Sequence, residues 1–117
     1  MGHMRHHAIV VTGMDFTNTG QGSPIHEAHG AAKMLFSDVA AVSEMTPEAN
    51  NGYQSFFVAP DGSKESWPHS DDGDKTRDKF IDYLNSVRNT SCLDWVEVQY
   101  GDDDGVTKIV RHSDEDR

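Results

Sequence analysis

The sequence predicts an α+β fold, and three observations predict it. His7-Ala8-Ile9-Val10-Val11-Thr12-Gly13 is an uninterrupted apolar, β-branched run closed by glycine, which reads as a buried central strand. Two later stretches place apolar residues at helical spacing on one face. Between and after them lie short alternating segments bounded by Gly-, Asn- and Asp-rich turns.

The first strand is expected over about Arg5 to Thr12, followed by a loop from Met14 to Ser23 with Asn18, Gly20 and Gly22 as breakers. Ser23-Pro24 opens a helix, because Ser caps well and Pro suits the first turn. Ile25, Ala28, Ala32, Leu35 and Phe36 form its apolar face, and it should end near Ser37. Val39 to Met45 and Tyr53 to Ala59 read as a hairpin around the turn cluster Thr46 to Gly52. Pro60 to Asp72 reads as a polar loop holding Trp67-Pro68. A second helix is expected from about Gly73 to Arg88, with Phe80, Ile81, Leu84 and Val87 inward. Asp74, Asp78 and Asp82 would interleave with Lys75, Arg77 and Lys79 on its exposed side. Leu93 to Tyr100 and Val106 to His112 are strands joined by the turn Gly101-Asp102-Asp103-Asp104-Gly105.

The order β-α-β-β-α-β plus one further strand is the ferredoxin-like plan with an additional C-terminal edge strand. It implies an antiparallel sheet with the opening strand in the middle, the Leu93–Tyr100 strand beside it, and both helices on one face. The other face is then open. Alternation separates Trp95, Glu97 and Gln99 from Val96, Val98 and Tyr100, and the second set reads as core. The open face is accordingly expected to carry Trp95 with Phe56 or Phe57. Trp95, Phe56, Phe57, Tyr53 and Glu97 are the candidate interface residues, unless the Pro60–Asp72 loop folds over them.

The chain has 117 residues, enough for one domain, here taken as 5–112 between Met1–Met4, which resembles a cloning scar, and a charged tail at 113–117. The formal charge is −10, spread as −3 over residues 1–60 and −7 over 61–117. Such a field repels nucleic acid and anionic membranes; it suits solubility, a basic protein partner or a cation. Apolar runs are too short to span a membrane and no secretion signal is visible. The single cysteine, Cys92, permits no internal disulfide and fits a cytoplasmic location.

No constellation singles out a catalytic, cofactor or metal site. His26 and His29 share a helix surface, but their spacing is not that of a zinc-protease helix. Gly20-Gln21-Gly22-Ser23 before a helix lacks the lysine of a phosphate-binding loop. Asp61, Asp71, Asp72, Asp102, Asp103 and Asp104 are expected at one end of the sheet, without the spacing of a calcium loop.

The segments His6–Thr12, Ser55–Lys64 and Leu93–Asp103 resemble a family of small bacterial proteins found in phage and in integron gene cassettes, part of the mobile genetic elements. The resemblance spans most of the chain and implies an accessory role, with no activity to transfer. The sequence therefore favours a non-catalytic module that homodimerises through its sheet or meets another protein. The alternative is a small enzyme or ligand binder using the open face or a dimer interface.

Overall fold

In the computed structural model, residues 5–15, 23–63, 67–87, 92–101 and 105–114 are described. The opening run forms β1 (His6–Met14), an inner strand of a four-stranded antiparallel sheet. It pairs with β2 (Tyr53–Val58) on one side and β3 (Asp94–Tyr100) on the other, and β4 (Lys108–His112) lies outside β3. This is the α+β arrangement that the element order implies, with β1 inside the sheet. The helices α1 (Pro24–Leu35) and α2 (Pro68–Ser86) share a core with one face of the sheet. Ile25, Ala28, Ala32 and Phe36 meet Phe80, Ile81 and Leu84 over Ile9, Val11, Phe56, Val58 and Trp95. Phe80 is the hinge of this packing: its ring meets Phe36 edge-on at 5.8 Å and Phe56 at 6.4 Å.

Pro24 opens α1 as expected, but Ser23 at the N-cap position makes no side-chain cap bond and its buried Oγ has no hydrogen-bond partner; Trp67-Pro68 starts α2 in the same way, with Pro in the first turn of each. The second helix therefore begins five residues before the expected Gly73. The polar run Ser70-Asp71-Asp72-Gly73-Asp74 reads as loop by propensity, but the proline fixes the first turn and Asp71 complements its dipole.

The strand expected over Val39–Met45 is reduced to one bridge, Val42 with Val58. The chain still runs alongside β2, with Ala59 N donating to Ala41 O and Ser43 N to Phe57 O. What breaks the ladder is side-chain competition. The Phe57 N–H donates to Ser43 Oγ at 2.9 Å and the Ser55 N–H to Thr46 Oγ1 at 2.9 Å, so hydroxyls stand where carbonyls would. The segment then turns back into β2 through Asn51 and Gly52, both at positive φ, which these two residue types tolerate. Ser43→Ala with Thr46→Val should cost about 1–2 kcal/mol in a denaturant titration, because two strand N–H groups revert to water.

Two strands depart from expectation at the other edge. The β3–β4 register shifts between Glu97 and Val98, opposite Val110, and so twists the outer strand. Ser113, expected in the tail, continues the pairing: its N–H donates to Trp95 O and its Oγ accepts from Trp95 N. Among the described residues no helix is long and apolar enough to cross a membrane.

Candidate interaction face and buried charge network

Register decides which side chains share a face. Val11 lies opposite both Phe56 and Trp95, and Ile9 opposite both Val58 and Glu97, so all six point toward the helices. Val10 lies opposite Phe57 and Val96, Ala8 opposite Val98, and Val98 opposite Ile109; these point away. Met14 with Tyr53 extends this outer face at one end and His6 with Tyr100 at the other. Its large members are solvent-exposed: Val10 38%, Tyr53 39%, Phe57 46% and Ile109 61%. Thr12 and Ser55 exchange a 2.8 Å hydroxyl hydrogen bond across it. Among these described outward positions Asp94 is the one formal charge.

The placement of the five candidate interface residues is thus split. Phe57 and Tyr53 stand on the open face. Trp95, Phe56 and Glu97 do not: they lie under the helices with 7%, 2% and 2% exposure. The expectation that Val96, Val98 and Tyr100 are core is corrected with them. The reason is chemical. A carboxylate sharing a face with Trp95 reads as solvent-facing unless a buried cation awaits it, and α2 supplies one. Arg77, expected on the exposed side, is 4% exposed and sits in the inward stripe with Gly73, Phe80, Ile81 and Leu84. Its spacing from Gly73, Phe80 and Leu84 was the available signal.

Around Glu97 the inner face turns from apolar to charged. Arg111 Nε donates to Glu97 Oε1 at 2.6 Å and its Nη1 to Asp78 Oδ1 at 2.9 Å. Arg77 Nε lies 3.9 Å from Glu97 Oε2, its Nη1 donates to Asp61 Oδ2 at 3.3 Å, and its Nη2 donates to Asp74 Oδ1. Asp61 Oδ1 also accepts from the Ser63 N–H at 2.8 Å and the Ser63 hydroxyl at 2.6 Å. His7 Nδ1 is 3.7 Å from Glu97 Oε2, buried and without a hydrogen-bond partner. Gly73 makes this approach possible, since a Cβ there would overlap the Asp61 carboxylate.

Burial pushes the Glu97 carboxyl up, but the neighbouring His7 and the bond and charge of Arg111 outweigh it and hold the group below the usual range. Burial likewise raises Asp61, and its Ser63 bonds with the Arg77 charge bring it below the usual range. Glu97 in turn raises Arg111 further. Both carboxylates are therefore ionised anchors at neutral pH rather than proton donors.

The remaining sequence candidates are dispersed. His26 Nε2 bonds Gln54 Oε1 at 2.9 Å and lies 3.7 Å from Asp15, while His29 Nε2 bonds Ser43 O at 2.8 Å and its ring packs on Phe56. They tie α1 to β2 and its flanking segment. Asp61 faces Arg77, whereas Asp71 and Asp72 are exposed on α2; Asp102, Asp103 and Asp104 lie outside the described residues, as do Gly20, Gln21 and Gly22. Among the described residues no group of three His, Cys, Asp or Glu side chains is placed to hold a metal ion. A cavity of about 240 Å³ is bounded by Ile81, Asn85, Trp95, Val110, Arg111 and His112. Another of about 260 Å³ lies against the end of α1, lined by Phe36, Ala40 and Val42 among others. Both fall below the roughly 300 Å³ at which small-molecule sites begin.

Neither a family model, nor a curated protein, nor a solved structure matches this chain.

Proposed function

We propose that this chain is a non-catalytic interaction module that pairs with a second copy of itself through the open face of its sheet. The observation that carries this is the continuous apolar surface formed by Val10, Phe57, Val96, Val98 and Ile109, on the side of the sheet away from α1 and α2. Charge selects the occupant. A chain of −10 meets its own copy without strong repulsion only across a surface that is itself nearly uncharged, and Asp94 is the sole formal charge at the described outward positions. A two-fold pairing needs a self-complementary patch, which an apolar sheet face supplies.

Strands about 4.8 Å apart and roughly seven residues long give a footprint of roughly 450 Å² per copy. That is smaller than the ~800 Å² per partner of a standard interface, so association is expected in the micromolar range or weaker. The non-catalytic reading draws support from the engaged state of Glu97 and Asp61. The lone exposed Cys92 suits a reducing compartment, and we place the chain in the cytoplasm.

Phe57→Glu tests this reading. Sedimentation equilibrium from micromolar to millimolar concentration should show the parent chain moving toward twice its monomer mass. The variant should remain monomeric, with unchanged circular dichroism and a dissociation constant raised about 30-fold or more, the size of an interface hot spot. A parent chain monomeric throughout, or a variant that associates equally well, overturns it.

A further inference from the structure

The inward stripe of α2 changes character half-way along. Ser70, Gly73 and Arg77 are its buried members in the N-terminal half, and Phe80, Ile81 and Leu84 in the C-terminal half. The sheet beneath changes in step. Phe80, Ile81, Leu84 and Trp95 belong to the shared apolar core, whereas Arg77 reaches Glu97, two residues further along β3. Gln99 and His7, paired across β3 and β1, continue the polar strip beyond Glu97. The C-terminal half is thus held by apolar burial and the N-terminal half by ion pairs. Among the described residues those pairs to the rest of the fold are Arg77 to Asp61 and Glu97, and Asp78 to Arg111.

These two modes of attachment differ in how they fail. Apolar burial is shared among many contacts and yields only with the core. A segment whose described buried side chains are Ser70 and Arg77, held by ion pairs, opens when those pairs let go, because its residues regain hydration as they leave. Asp71, Asp72, Asp74, Lys75 and Asp78 are already exposed, so opening newly hydrates Arg77, Ser70 and the Glu97 carboxylate that Arg77 faces.

We propose that the N-terminal half of α2 is a hinged cover, latched by Arg77, that unwinds and opens as one cooperative unit while Phe80, Ile81 and Leu84 stay docked. Opening bares the Glu97 carboxylate that Arg77 faces, beside which the His7 Nδ1 lies 3.7 Å away with no hydrogen-bond partner. The cover is independent of self-association, because it lies on the opposite side of the sheet.

Native-state amide hydrogen exchange on the full chain tests it. In the parent chain the amides of residues 74–78 should share one opening equilibrium and exchange about tenfold or more faster than those of residues 81–86. Simple fraying would instead give protection rising residue by residue from the helix start. Asp61→Asn removes one partner of Arg77 while Asp74 and Glu97 still face the guanidinium. It should speed exchange of all the 74–78 amides by a common factor of about 10 and leave 81–86 unchanged. A graded profile in the parent chain, equal protection in both halves, or an Asp61→Asn effect spread over the whole helix each overturn the proposal. The parent measurement needs no variant, so a failure of Asp61→Asn to fold still leaves it decided.

Discussion

Replacing Trp95 by Ala should destabilise the folded chain by about 3–5 kcal/mol and leave its self-association unaltered at concentrations where it remains folded. Trp95 is 7% exposed and belongs to the core cluster with Ile81, Leu84 and Val11, so its removal leaves a cavity beneath α2. Its backbone also anchors the end of β4 through Ser113, and those bonds survive the substitution. The loss should thus appear as a lower midpoint in urea with little change in slope. A nearly normal midpoint with weakened association would place the indole on the open face and reverse the assignment of the two faces.

Glu97→Ala should cost a similar amount, about 3–5 kcal/mol, by a different route. The carboxylate is 2% exposed and faces three cationic or ionisable groups, so its removal leaves Arg77 buried with less compensating charge and frees Arg111 from its shortest bond. Glu97→Gln, which keeps the shape and one acceptor, should cost less. The same network sets the acid limit. Glu97 and Asp61 are both held below their ordinary range in the folded chain. The stability they contribute is therefore complete above their unfolded values, roughly pH 4–4.5, and is lost as pH falls through their lower folded values. Stability measured by urea titration should decline below about pH 4.5 in the parent chain. The decline should be shallower in Glu97→Gln.

Much of the fold was legible because local chemistry and tertiary need agree there. Pro24 stands in the first turn of α1, the β-branched run makes an inner strand, and the periodicity of Phe80, Ile81 and Leu84 names the face α2 buries. The faces of β3 were not legible. Trp95-Val96-Glu97-Val98-Gln99 puts apolar groups on both sides, and period-two alternation cannot choose between two half-apolar sets. The choice is made by cations that β3 does not encode: Arg111 on β4 bonds the Glu97 carboxylate at 2.6 Å, and Arg77, twenty residues away on α2, lies 3.9 Å from it. The broken strand at Ser43 and Thr46 was hidden for a related reason: whether a hydroxyl accepts from a neighbouring strand depends on a register that the segment does not itself encode. On the open face, alternation within β2 groups Phe57 with Tyr53 but leaves open whether that pair or Phe56 faces outward. Val10, Val96, Val98 and Ile109 join them only once the pairing of all four strands is known.

Backbone amide and methyl shifts followed on dilution, by solution NMR, test the central claim most directly. If two copies meet through the bare side of the sheet, signals of Val10, Phe57, Val96, Val98 and Ile109 move together with concentration. Those of Phe56, Leu84 and the Trp95 indole N–H stay still. Spectra that do not depend on concentration, or movements confined to the outer surfaces of α1 and α2, would contradict it.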